Sequence, residues 1–167
     1  MRRRPAGFTL LEMLVVVAIV GIVITFAVLA IGGDRRAEEL ERESRQFAEL
    51  LRLGSEQAVL RGEEWAVQLS PEEYRFLIYT DSGWAVLADD DLFRARTLAE
   101  DTRLEVELEG RDLALETTEE IRPTLVLYSS GETSPFVAVF AAQATEQRYE
   151  VRADARGQVE WEGLSPW

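Results

Sequence analysis

No cysteine, histidine or lysine occurs in this sequence, so all 18 basic residues are arginine. Those absences exclude Ser-His-Asp and Cys-His catalysis, lysine Schiff bases, and zinc sites built on His or Cys. They exclude disulfides as well, so a folded domain must draw its stability from a core. Carboxylates are abundant instead: 31 Asp and Glu bring the formal net charge to −13. Such a surface repels phosphate backbones, and no cluster of Arg interleaved with aromatics follows Arg36, so nucleic-acid binding is not expected. Among so many acids no spacing singles out a glycosidase-type pair. The run Asp89-Asp90-Asp91 lacks the spaced oxygens and glycine of an EF-hand loop. No catalytic residue, metal or cofactor is expected.

What the chain does have is one long apolar run. From residue 13 to residue 31 nothing is more polar than Thr25. At 1.5 Å per residue this run reaches roughly 28 Å, about the thickness of a bilayer's hydrocarbon core. An ordinary secretory signal is shorter in its apolar region and ends in a small-x-small cleavage site, of which Ala27-Val28-Leu29-Ala30 is a poor imitation. Glu12 stands at the start of the run. A carboxylate in a transmembrane helix costs on the order of 3 kcal/mol at the centre and less near an end, so it normally has a partner. The segment Met1-Arg2-Arg3-Arg4-Pro5-Ala6-Gly7 carries three arginines, which favour a cytoplasmic N-terminus, although Arg35 and Arg36 beyond the run weaken that bias.

The segment Gly7-Phe8-Thr9-Leu10-Leu11-Glu12, preceded by a short basic leader and followed by the apolar run, resembles the class III signal of type IV pilins and type II secretion pseudopilins. The resemblance implies cleavage by a prepilin peptidase between Gly7 and Phe8, with N-methylation of Phe8. It also implies an assembly role for Glu12, whose carboxylate would neutralise the Phe8 amine of a neighbouring subunit. Many pilins carry a proline in the membrane helix, and residues 8–31 hold none; Gly21 and Gly32-Gly33 are the remaining sources of flexibility, at about 1 kcal/mol each relative to Ala.

After Gly32-Gly33 the chain turns abruptly charged. Leu40, Phe47, Leu51, Gly54 and Ala58 recur at helical spacing, with Leu50 widening the stripe and Glu and Arg on the opposite face. The pattern predicts one long helix to about Arg61, with Gly62 as C-cap and i,i+4 Glu-Arg pairs on the solvated face. From Trp65 onward eight short runs read as strands, at residues 65–69, 74–79, 84–87, 103–108, 124–128, 136–140, 149–152 and 158–161. Ser70-Pro71-Glu72-Glu73 suits a hairpin, and the repeated turn residues point to antiparallel sheets. The expected fold is therefore α+β: a long N-terminal helix, transmembrane then amphipathic, packed on an antiparallel β domain of two sheets. The expected division is a cleaved leader at 1–7, a transmembrane helix at 8–31, its amphipathic continuation at 34–61 and a β domain at 65–167.

One loop carries a second resemblance. Tyr128-Ser129-Ser130-Gly131-Glu132-Thr133-Ser134-Pro135-Phe136 joins two apolar runs, with Gly131 able to take positive φ and Pro135 closing the turn. It resembles the strand-Gly-x-x-Ser-Pro-Phe-strand segment of the H-type minor pseudopilins of type II secretion. That resemblance implies a non-enzymatic filament subunit near the tip of a periplasmic pseudopilus, linking a tip complex to the major pseudopilin for protein export. The implied partners are the major and other minor pseudopilins, the prepilin peptidase and the inner-membrane secretion platform. The implied location is the bacterial inner membrane, single-pass, with the C-terminal domain periplasmic. A minor pilin of the type IV pilus group, acting in pilus assembly or DNA uptake, is the alternative; the acidic balance and the Ser-Pro-Phe segment favour the first.

Overall fold

The structure, a computed structural model, describes residues 10–87 and 90–164, and within the helix the side chains of residues 26–34 are not described. Helix α1 (Leu10–Arg61) is 52 residues long and runs through Gly32 and Gly33 without a backbone break. It ends as the sequence predicts: Gly62 takes φ 66°, Glu63 N–H donates to Ala58 O at 3.1 Å, and Gly62 N–H to Val59 O at 3.3 Å. This is the left-handed glycine stop that satisfies the last helical carbonyls.

Among the described residues ten strands follow: β1 (Trp65–Leu69), β2 (Glu73–Thr80), β3 (Gly83–Val86), β4 (Arg96–Thr97), β5 (Thr102–Leu108), β6 (Arg111–Leu113), β7 (Leu125–Leu127), β8 (Phe136–Ala142), β9 (Arg148–Ala153) and β10 (Val159–Leu164). All eight expected runs form strands; β4 and β6, at two and three residues, are too short to leave a periodic signal. The first sheet has the order β3-β2-β1-β7, with β4 also on β2, and the second has the order β10-β9-β8-β5-β6; every pairing is antiparallel.

The helix stripe is the keystone of the core. Leu40, Phe47, Leu51 and Ala58 are fully buried, and Leu50 is nearly so. The Phe47 ring meets Tyr74 of the first sheet at 4.9 Å and Phe140 of the second at 5.5 Å, so one aromatic side chain joins both sheets to the helix. Gly54 permits the closest approach: a Cβ there would lie 3.1 Å from Leu127 Cδ1 and 3.2 Å from Phe76 Cε1. Phe93 closes the end beside Trp65 and Phe76, each ring 5.0 Å away.

Candidate assembly site

The helix divides into two chemical halves. From Arg36 to Ala58 it presents a buried stripe to the sheets, whereas residues 10–25 are exposed on every side, large apolar side chains included. An all-round apolar helix outside a domain needs a lipid or protein environment. Among the described residues no helix is long and apolar enough to cross a membrane; the stretch expected to span, residues 13–31, continues past Thr25 into undescribed side chains. Glu12 lies near the start of the described part of α1 and is exposed. Gly7 and Phe8 lie outside the described residues.

Below this half the chain crosses between the sheets three times, and each crossing is fastened by side chains. The first, β4 to β5, is held by α1. Arg36, 8% exposed, places Nε 2.7 Å from Asp101 Oδ1 and donates from Nη2 to the Thr102 hydroxyl. Glu43 accepts from that hydroxyl at 2.9 Å and from the Ala99 N–H at 3.2 Å. A buried guanidinium within 4 Å of three carboxylates, Glu39, Glu43 and Asp101, and bonded to a hydroxyl has its charge balanced locally.

The second crossing, β6 to β7, runs over the outer face of the first sheet. Gln68 donates to Glu120 O at 2.9 Å and accepts from Arg122 N–H at 3.2 Å, while Arg75 Nε donates to Gln68 Oε1 at 3.2 Å. The third, β7 to β8, is the Tyr128–Phe136 loop singled out in the sequence. Ser129 donates from its hydroxyl to Glu64 Oε1 at 2.7 Å and from its N–H to Oε2 at 3.2 Å. Gly131 takes φ 90°, with its N–H donating to Tyr128 O at 2.9 Å. Thr133 donates to Asp154 O at 2.8 Å, and Gly157 packs so tightly on Gly131 O that a Cβ could not fit. The loop is thus a structural hinge pin between sheets and not a generic turn.

The C-terminal strand is sealed to the helix. Trp161 donates from Nε1 to Ser44 Oγ at 2.9 Å, stacks on Tyr149 at 5.5 Å, and lies under the Arg45 guanidinium at 4.4 Å. Burial, and then the Glu41 carboxylate, push the Tyr149 phenol upward. Burial raises Tyr74 strongly, with Arg96 opposing and Glu43 reinforcing, so that phenol stays neutral. The expected i,i+4 pair is present as Arg45–Glu41 at 2.9 Å. Asp90, within the triple-aspartate run, accepts from the N–H groups of Leu92 and Phe93 at 2.9 and 3.3 Å, which makes it a turn former.

Sequence reasoning singled out Glu12 and the Tyr128–Phe136 loop but missed the Arg36 clasp, the Gln68–Arg75 fastening and the Trp161 seal. Two signals were present. Extending the apolar stripe one turn backward from Leu40 lands on Arg36, and Ser44 sits within the stripe as a polar residue in need of a partner.

Comparison with known proteins agrees with this architecture. Residues 2–32 match the prokaryotic N-terminal methylation motif and residues 43–157 match the family Type II transport protein GspH. Type II secretion system protein H of Aeromonas hydrophila is 31% identical over 95% of this chain and 93% of its own length. The protein of the same name from Pseudomonas aeruginosa is 32% identical over 87% of this chain and 88% of its own. The crystal structure of the minor pseudopilin EpsH from the type II secretion system of Vibrio cholerae superposes with a TM-score of 0.65 at 29% identity, covering 78% of this chain and 96% of that one. The solution structure of Escherichia coli GspH shares the fold, with a TM-score of 0.55 at 16% identity.

Proposed function

Because the chain belongs to the type II transport protein GspH family, we propose that it serves as a minor pseudopilin, a structural subunit of a type II secretion system. The observation that carries this reading is the two-part helix: an N-terminal half with apolar side chains exposed on all sides, continuous with a half locked into a two-sheet domain. Such a subunit is stored in the membrane and handed to a filament by its exposed helix, while the domain stays outside. Residues 1–7 are removed by the prepilin peptidase, and Phe8 becomes the methylated N-terminus. In the assembled state the Glu12 carboxylate neutralises the Phe8 amine of a neighbour, which ties incorporation to processing. The N-terminus faces the cytoplasm and the β domain the periplasm. The subunit lies below the tip, joining other minor pseudopilins to the major one above the inner-membrane platform.

The chain lacks cysteine, so Val16→Cys creates a unique thiol on the exposed helix. Disulfide trapping in membranes against a single-cysteine major pseudopilin should give a mixed dimer. Phe8 should be the N-terminal residue by mass spectrometry, in cells with an active peptidase. An intact Met1, or trapping only with unrelated membrane proteins, contradicts the reading.

A further inference from the structure

The place where α1 leaves the domain is fastened by charge and not by apolar packing. Among the described residues, Leu40 is the first fully buried apolar side chain of the helix. One turn before it, where another apolar residue would extend the stripe, stands Arg36, and Arg35 beside it is already exposed. The Arg36 guanidinium has three directions filled: Nε by Asp101, Nη2 by the Thr102 hydroxyl and Nη1 by Glu39 Oε2 at 3.5 Å. Glu43, two turns on along the same face, accepts from Thr102 and closes the clasp. Thr102 itself begins β5, which pairs with β8 from Thr102↔Ala142 to Leu108↔Phe136, so the anchor is a fixed part of the second sheet.

A second bracket grips the helix from the opposite flank of that sheet. Ser44 and Arg45 hold Trp161 of β10, and the strand order puts β9 and β8 between β10 and β5. At roughly 4.8 Å per strand spacing, the two brackets stand about 14 Å apart across the sheet. Two attachments so separated fix the direction of the helix axis, which one contact would leave free to swing. Buried charge is a poor source of stability, because desolvation offsets most of the attraction, but a planar guanidinium with its directions filled admits one geometry. The arm it holds is long: from Arg36 to Val16 the helix rises about 30 Å, so a swing of about 10° at the clasp displaces Val16 by about 5 Å. We propose that Arg36, with Asp101, Thr102 and Glu43, is a positioning residue for assembly: the clasp sets the angle at which the exposed half of α1 leaves the domain, and so the pose in which it meets a neighbouring helix. The consequence for the filament rests on the pseudopilin reading; the angle itself does not.

The chain has no cysteine, so Val16→Cys and Gln143→Cys, the latter exposed just after β8, supply two unique thiols for spin labels. In the full chain reconstituted in liposomes, pulsed electron spin resonance should give one narrow distance distribution between them. Arg36→Met combined with Asp101→Asn and Glu43→Gln removes the clasp charges together and leaves only the exposed Glu39 carboxylate, which water solvates. This variant should widen the distribution by about 5 Å or more, the displacement expected of the freed arm. It should lower disulfide trapping of Val16→Cys to the major pseudopilin severalfold, while the circular dichroism and thermal midpoint of the domain stay unchanged. A merely structural role would move the midpoint and leave the width alone. Arg36→Lys keeps the charge without the planar fork, so it should fold and also widen the distribution; if the triple variant does not fold, this one decides. A wild-type distribution already that broad, which would place a free hinge at Gly32-Gly33, overturns the proposal. So does an unchanged width in the folded variants, or full trapping in spite of a wider one. Trapping at Val16→Cys in the otherwise native chain reads the filament independently, so the clasp and the filament reading fail separately.

Discussion

Gly54 and Glu12 show how differently single residues act in this chain. At Gly54 the backbone of α1 lies against Phe76 and Leu127, and the site has no room for a branched side chain. Gly54→Val should therefore lower stability by about 2 kcal/mol through overpacking, despite the better helix propensity of a non-glycine residue. Chemical denaturation of the chain in detergent reads the difference; an unchanged midpoint would show that the core yields there. Glu12 lies in the exposed half, far along the chain from the β domain. Glu12→Gln should leave membrane insertion and thermal stability intact while reducing trapping to the major pseudopilin severalfold, since the variant keeps size and loses only charge. Wild-type trapping would make the carboxylate a passenger at the membrane edge.

Among the elements, the connections are more revealing than the strands. The turn between β9 and β10 is organised by Asp154, whose carboxylate accepts from the N–H groups of Arg156 and Gln158 at 2.9 and 3.0 Å. The Gln158 N–H first, and then Arg156, hold its pKa below the ordinary carboxylate value. A group depressed in the folded state adds stability above its unfolded pKa and loses it as the pH falls through the folded one. The turn should accordingly loosen below about pH 4, with the protection of the Gly157 and Gln158 amides relative to their intrinsic exchange rates falling, and Asp154→Asn should flatten that dependence. Identical pH profiles in the two proteins would count against it. Because Thr133 bonds Asp154 O and Gly157 abuts Gly131, this turn also supports the β7 to β8 crossing.

The elements themselves were legible in the sequence because their periods are long and unmixed. The stripe from Leu40 to Ala58 repeats over several turns, and the Gly62 stop is a local signal. The fastenings were not, since Arg36 meets Thr102 66 positions away and Trp161 meets Ser44 117 positions away. No local pattern encodes such pairings; they follow only once the sheets are stacked. The candidate site was readable in part for the same reason: the motif around Glu12 is contiguous, whereas the Arg36 clasp brings the helix together with Asp101 and Thr102.

At the scale of the whole molecule, the exposed apolar helix and the strongly acidic, cross-braced domain describe a subunit made to be joined to others. The family assignment sets the system. The most direct measurement is deletion of the gene in its own host, followed by quantification of exported proteins in the medium and periplasm together with pilus motility and DNA uptake. The account predicts that exported proteins vanish from the medium, accumulate in the periplasm and return with the wild-type gene, while motility and uptake are untouched. Normal export with lost motility or uptake would contradict it.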